Sequence, residues 1–255
     1  MAKVAAKEKT LWQMLVVGGH TRSIGKTQLV CDIIRAFPRT EWIAGKITQY
    51  GHGVCARNGE NCDCAPTEHA CALDWETQVH TGTDSARFLE AGATHSFWLR
   101  TKQGYLAEGL PLLREALKQL ARGRWPATGE QRSEIAAREA PLDFRSRGEV
   151  SGDSTALIVE SNSMMQFVRP SLYFAVIDPL KEDFKESAQI ALDRAHALVL
   201  RADLGDAPPA SLWMRLPAQL MRAKPSVLQR EGEELPKPLW ELVHRMLEGP
   251  PSTSF

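Results

Sequence analysis

The hydrophobic positions fall into short runs, and their period switches back and forth along the chain. Leu15-Val16-Val17 is a compact apolar run; Leu29, Val30, Ile33, Ile34 and Phe37 then recur at helical spacing until Pro38 breaks the pattern. Glu41 to Thr48 and His95 to Arg100 predict two further strands, and Leu110, Leu113, Ala116, Leu117 and Leu120 mark one face of a helix over 106–120. Beyond them, 156–160, 172–177, 197–201 and 225–229 predict strands, while 184–195, 211–221 and 239–247 predict helices. This alternation predicts an α/β fold, a mostly parallel sheet with helices on both faces, within a single domain over 1–255.

Two stretches interrupt the rhythm. Residues 49–82 form a connection longer than ordinary loops, which points to function or disorder. From 121 to 153 the pattern dissolves into Arg, Glu, Gly, Pro and Ser, as in a solvated, mobile insertion. Its arginines (Arg122, Arg124, Arg132, Arg138, Arg145, Arg147) read most simply as surface charge. The formal net charge is +0, so no global field attracts nucleic acid or an anionic membrane. No apolar run approaches membrane-spanning length, and residues 1–10 are not followed by a signal-peptide core. The expectation is therefore a cytoplasmic protein with reduced thiols.

The chemistry gathers between the first strand and the first helix. There the chain reads Gly18-Gly19-His20-Thr21-Arg22-Ser23-Ile24-Gly25-Lys26-Thr27, the strand, glycine-rich loop and helix order that a phosphate-binding loop requires. Backbone N–H groups of such a turn, with the helix N-terminus, make an anion cradle. Lys26 is expected to reach the β- and γ-phosphates, and Thr27 to bind Mg²⁺. Gln28, next on the helix, completes the expected contacts. Glu160 ends a buried strand, the place from which an acid faces the ligand crevice and joins the Mg²⁺ environment.

The spacing is G-x5-G-K-T, with His20 where the common motif has glycine. This longer loop resembles that of dethiobiotin synthetase and the related cobyrinic-acid amidases, whose G-T-x-[TS]-x-x-G-K-[TS] binds ATP. Gly19, Thr21, Ile24, Gly25, Lys26 and Thr27 lie on that pattern; His20 and Arg22 depart from it. Gly45-Lys46-Ile47-Thr48 resembles the G-x-K-P-V of dethiobiotin synthetase, which implies Lys46 as a second cation near the reacting phosphate; a surface lysine at a strand end is the plainer reading. Asp84, Ser85, Arg87, Ala91, Gly92 and Ala93 match the D-S-x-R-x-x-x-A-G-A of the MobB family of molybdopterin-guanine-dinucleotide biosynthesis proteins. Asp84 is thus either a helper of Mg²⁺ or water, or simply a helix cap alongside Thr83. In both groups the later strand ends V-E-G, which maps onto Glu160, with Ser161 in place of the glycine. Leu200-Arg201-Ala202-Asp203 is a partial N-K-x-D without its Asn, so ATP and GTP both stay open.

Four of the five cysteines, Cys55, Cys62, Cys64 and Cys71, follow C-x6-C-x-C-x6-C within 49–82, beside His52, His69 and His80. Four thiolates so close suggest a Cys₄ zinc site or an iron–sulfur cluster, and a metal would order a loop without a core of its own. Cys31 reads as a small buried hydrophobe. Together these features predict a Mg-nucleotide-dependent P-loop NTPase that uses ATP, with GTP as the alternative, and the resemblances imply a place in cofactor biosynthesis or maturation. Lys26, Lys46 and Glu160 would act on the phosphoryl group of the nucleoside triphosphate, with an unknown small-molecule substrate. The alternative is a nucleotide-gated adaptor that hands metal or a metallocofactor to a client metalloprotein, with a homodimer left open.

Overall fold

The computed structural model describes residues 13–50, 70–123, 155–201, 222–230 and 232–250. Eight strands form one sheet: β1 (Gln13–Gly19), β2 (Glu41–Tyr50), β3 (Cys71–Trp75), β4 (His95–Lys102), β5 (Thr155–Glu160), β6 (Leu172–Ile177), β7 (Ala197–Leu200) and β8 (Ser226–Leu228). Their order is β3-β4-β2-β5-β1-β6-β7-β8, parallel throughout except where β3 meets β4. The helices are α1 (Lys26–Ala36), α2 (Asp84–Glu90), α3 (Leu106–Ala121), α4 (Glu186–Leu192) and α5 (Lys237–Glu248).

The continuous apolar runs follow from burial on both faces. Alternate β1 residues point to opposite sides: Met14 and Val16 pack with the α3 leucines and α4 alanines, while Leu15 and Val17 pack with α1, Phe88 of α2, and Leu239 and Val243 of α5. Register then fixes the site. Val17 of β1 and Lys46 of β2 both pair with Glu160 of β5, so one row across the sheet carries a lysine and a carboxylate side by side. Gly45 lies before that lysine because a Cβ there would run into the Phe97 ring.

The structure departs from the expected elements at three places. Residues 71–75, expected as loop, form the edge strand β3, and β2 runs two residues further than expected, to Tyr50. The β3 signal was hidden because the strand is short, only partly buried, and carries Asp74, which ion-pairs with Arg100 of β4. The helix expected over 184–195 is shorter, since Lys185 has extended backbone and the chain turns after Leu192 so that Arg194 can donate to the Met165 and Val168 carbonyls. The helix expected over 211–221, cysteines 55, 62 and 64, and the arginines beyond Arg122 lie outside the described residues.

Candidate functional site

At the C-terminal edge of β1 the chain turns through residues 20–25 into α1. Gly25 caps the helix at φ 79°, a left-handed conformation that favours glycine. Lys26 curls back so that its ammonium donates to the Thr21 carbonyl at 2.7 Å, inside the loop. Burial holds that ammonium below its ordinary pKa, against the pull of Glu160. The Thr27 hydroxyl donates to Glu160 Oε2 at 2.7 Å, and Glu160 Oε1 faces the Lys46 ammonium at 3.5 Å. Lys46 also ion-pairs with Asp84, the first residue of α2. Burial alone would lower the Lys46 pKa, but the Glu160 and Asp84 carboxylates outweigh it and raise the value.

A strap after β6, residues 178–185, braces the loop from the other side. The buried His20 ring sits between them: Asp178 N–H donates to Nδ1 at 3.4 Å, and Nε2 lies 3.2 Å from the Lys181 carbonyl. An accepting Nδ1 and a donating Nε2 describe a neutral imidazole, in keeping with a pKa that burial lowers. Thr21 donates its hydroxyl to Asp183, Lys181 Nζ donates to the Ser23 carbonyl at 2.6 Å, and Lys185 N–H donates to the His20 carbonyl at 2.8 Å. His20 is thus the bracket that fastens the long loop to the strap.

These groups open onto a cleft of about 1330 Å³ lined by Arg22, Lys26, Thr27, Lys46, Asp84, Glu160, Lys185 and Arg201 among others. Among the described residues no three His, Cys, Asp or Glu side chains converge on a single metal position. The Glu160 and Asp84 carboxylates face the Lys46 ammonium instead, and Glu160 also accepts from the Thr27 hydroxyl; three oxygen-bearing side chains of this kind are hard donors of the type that suits Mg²⁺.

No family model matches the chain, and neither does any curated protein. Among solved structures it is similar to HypB from Helicobacter pylori in complex with nickel, at 10% identity and a TM-score of 0.42, over 91% of this chain and 83% of that one. At that score the likeness carries no functional argument.

The residues expected from sequence lie in this neighbourhood in different ways. Ile24, Gly25, Lys26, Thr27, Gln28, Lys46 and Glu160 line the cleft. Gln28 is held on both sides, donating to Asp32 at 2.7 Å and accepting from Arg87 at 2.8 Å. Ile24 packs its side chain where a Cβ on Gly19 would stand. The Thr21 hydroxyl is turned to Asp183, and the Gly19 amide is engaged by Asn162, whose side chain accepts from Gly19 N–H and donates to Gly19 O, both at 2.7 Å. Cys71 sits on β3, where its thiol donates to the Tyr105 carbonyl at 3.4 Å; its three partners in the cysteine pattern lie outside the described residues.

Four contributors escaped the sequence reading. Asn162 follows the strand acid closely, and its neighbours Ser161 and Ser163 masked it as turn composition. Arg201 donates to the Gly25 carbonyl and, at 3.1 Å, to the Gln229 carbonyl, so it underlies the loop's last turn. Glu76 accepts from Thr83 Oγ1 at 3.0 Å and Ser85 Oγ at 2.8 Å, holding the start of α2 and so Asp84. Lys185 had no motif around it. A lysine at the C-terminal side of a strand next to the glycine-rich loop was the available signal.

Proposed function

We propose that the chain binds a magnesium nucleoside triphosphate and acts on its terminal phosphoryl group. The observation that carries this reading is the direct Thr27–Glu160 hydrogen bond, which joins the loop hydroxyl to the strand acid as a Mg²⁺ environment needs. When bound, Mg²⁺ would neutralise charge on the β- and γ-oxygens. Thr27, Glu160 and Asp84 would orient it, Lys26 would leave the Thr21 carbonyl for phosphate, and Lys46 would meet charge developing at the transferred group. Phosphoryl transfer is mostly positioning and electrostatic stabilisation, so this set suffices for a nucleotide hydrolase or for a synthetase that phosphorylates an acid. ATP use and a place in cofactor biosynthesis rest on the resemblance to dethiobiotin synthetase and MobB. Titrating Mg-ATP and Mg-GTP onto the wild type and Lys26→Ala tests the core of the reading. Binding is expected for the wild type and lost in the variant; identical titrations would remove the assignment of the loop.

A second reading, a nucleotide-gated adaptor for metal or metallocofactor, is favoured by one contact chain. Cys71 begins β3, Glu76 follows its end, and the Glu76 carboxylate holds the two hydroxyls flanking Asp84, the partner of Lys46. Metal state in a zinc- or iron–sulfur-binding cysteine segment would therefore bias the Mg²⁺ end of the cleft. Equal nucleotide affinity of metal-loaded and metal-stripped protein would count against this coupling.

A further inference from the structure

The strap opposite Lys46 ends in a lysine that the motif reading does not use. Lys185 lines the same cleft as Lys26 and Thr27, and its backbone is pinned to the loop by the 2.8 Å bond to the His20 carbonyl. Asp183, two residues earlier, is occupied by the Thr21 hydroxyl. The neighbouring Lys181 is likewise engaged, on the Ser23 carbonyl. Among the described residues the Lys185 ammonium has no hydrogen-bond partner, so the strap's fixed contacts present one lysine to the cleft and tie down the other.

We propose that Lys185 is a phosphate ligand of the bound nucleotide, delivered by the strap so that the phosphate chain lies between lysines from the two sides of β1. This rests on the nucleotide-binding reading and adds to it a residue outside the loop motif. The charges facing Lys185 fit an anion. Arg22 and Lys26 come from the loop and the start of α1, Lys46 from β2, and Asp183 from the strap itself. Burial and the cationic neighbours together press the Lys185 pKa down to about 8, with Asp183 a partial offset. Cations crowded in a half-closed cleft repel one another until a polyanion enters, and the site then gains from every one of them. The strap also supplies a reason for the longer loop: residues 20–23 make the contacts that hold Lys185 in place.

Isothermal titration of Mg-ADP and Mg-AMPPNP onto wild type, Lys185→Met and Lys185→Arg tests the proposal, with circular dichroism to confirm that each variant folds. At pH 7 Lys185→Met should bind about ten- to hundredfold more weakly than wild type, with Lys185→Arg close to wild type. At pH 8, titrations in buffers of different ionisation enthalpy should show uptake of roughly half a proton more in the wild type than in Lys185→Met. Equal affinities and equal proton uptake in wild type and Lys185→Met would overturn the assignment of Lys185 while leaving the loop reading intact. A wild type that binds neither these nucleotides nor their guanine counterparts, Mg-GDP and Mg-GMPPNP, would overturn both.

Discussion

The Thr27 hydroxyl and the Glu160 carboxylate meet at 2.7 Å although 133 positions separate them in sequence. Glu160 is only 4% exposed. A buried carboxylate is tolerated when its charge is paired and its oxygens are hydrogen-bonded. Here one oxygen is taken by the threonine of the loop and the other faces Lys46. The pairing makes the acid a structural part of the loop.

Glu160→Gln preserves the shape of that group and removes its charge. Nucleotide binding in the presence of EDTA is expected to persist, while Mg-dependent phosphate release falls roughly a hundredfold or more. Steady-state phosphate release beside a fluorescence titration separates the two effects. Turnover equal to wild type would take Glu160 out of the magnesium environment.

Lys185→Met should raise the stability of the nucleotide-free protein. The folded-state pKa lies below the ordinary 10.5, at about 8, so between those values the unfolded chain binds more protons and unfolding free energy rises with pH. Below about pH 8 the wild type carries the full penalty of the crowded charge, and removing the ammonium relieves it. Thermal melts should therefore show a higher Tm for the variant at about pH 7 and a gap that narrows as the pH approaches roughly 10. A variant that melts lower than wild type at neutral pH would contradict the crowding of cations around the strap.

Much of this arrangement was legible because it is written in periods. The apolar runs that became β1, β5, β6 and β7 are continuous since both faces of each strand are covered, and the loop glycines stand where a strand meets a helix. Side-chain chemistry that acts across the sheet left no such trace. Asn162 pairs with Gly19 through a peptide-like hydrogen-bond pair that depends on the β1–β5 register, and His20 makes sense only once the strap after β6 is in place. Edge strand β3 is a matter of context too: paired on one side and carrying Asp74, it has little of the apolar continuity of its neighbours.

Asn162→Ala should weaken the loop without touching the magnesium side. The alanine leaves the Gly19 N–H and C=O without the partners they have at 2.7 Å, a loss on the order of 1–3 kcal/mol for buried polar groups. Nucleotide affinity is expected to fall while the Mg²⁺ concentration giving half-maximal turnover stays near that of wild type. Urea unfolding and a magnesium titration check the two halves. A variant as stable as wild type would mean that water replaces the asparagine at no loss.

The cysteine segment and the cleft can be tested as one coupled system. Cys62→Ser with Cys64→Ser should abolish bound zinc, or iron if a cluster is present, in an elemental assay of the purified protein. If the Glu76 carboxylate transmits metal state to Asp84, the double cysteine variant should also shift nucleotide affinity, by a coupling of about 1–3 kcal/mol. Glu76→Ala removes the acceptor of the Thr83 and Ser85 hydroxyls and should erase that shift while the protein still binds metal. The comparison is a double-mutant cycle, in which an interaction between distant groups appears as non-additivity. Additive effects of the cysteine and Glu76 substitutions on nucleotide affinity would separate the two ends. The cysteines would then be a local support for their own loop, and the adaptor reading would lose the contact chain on which it stands.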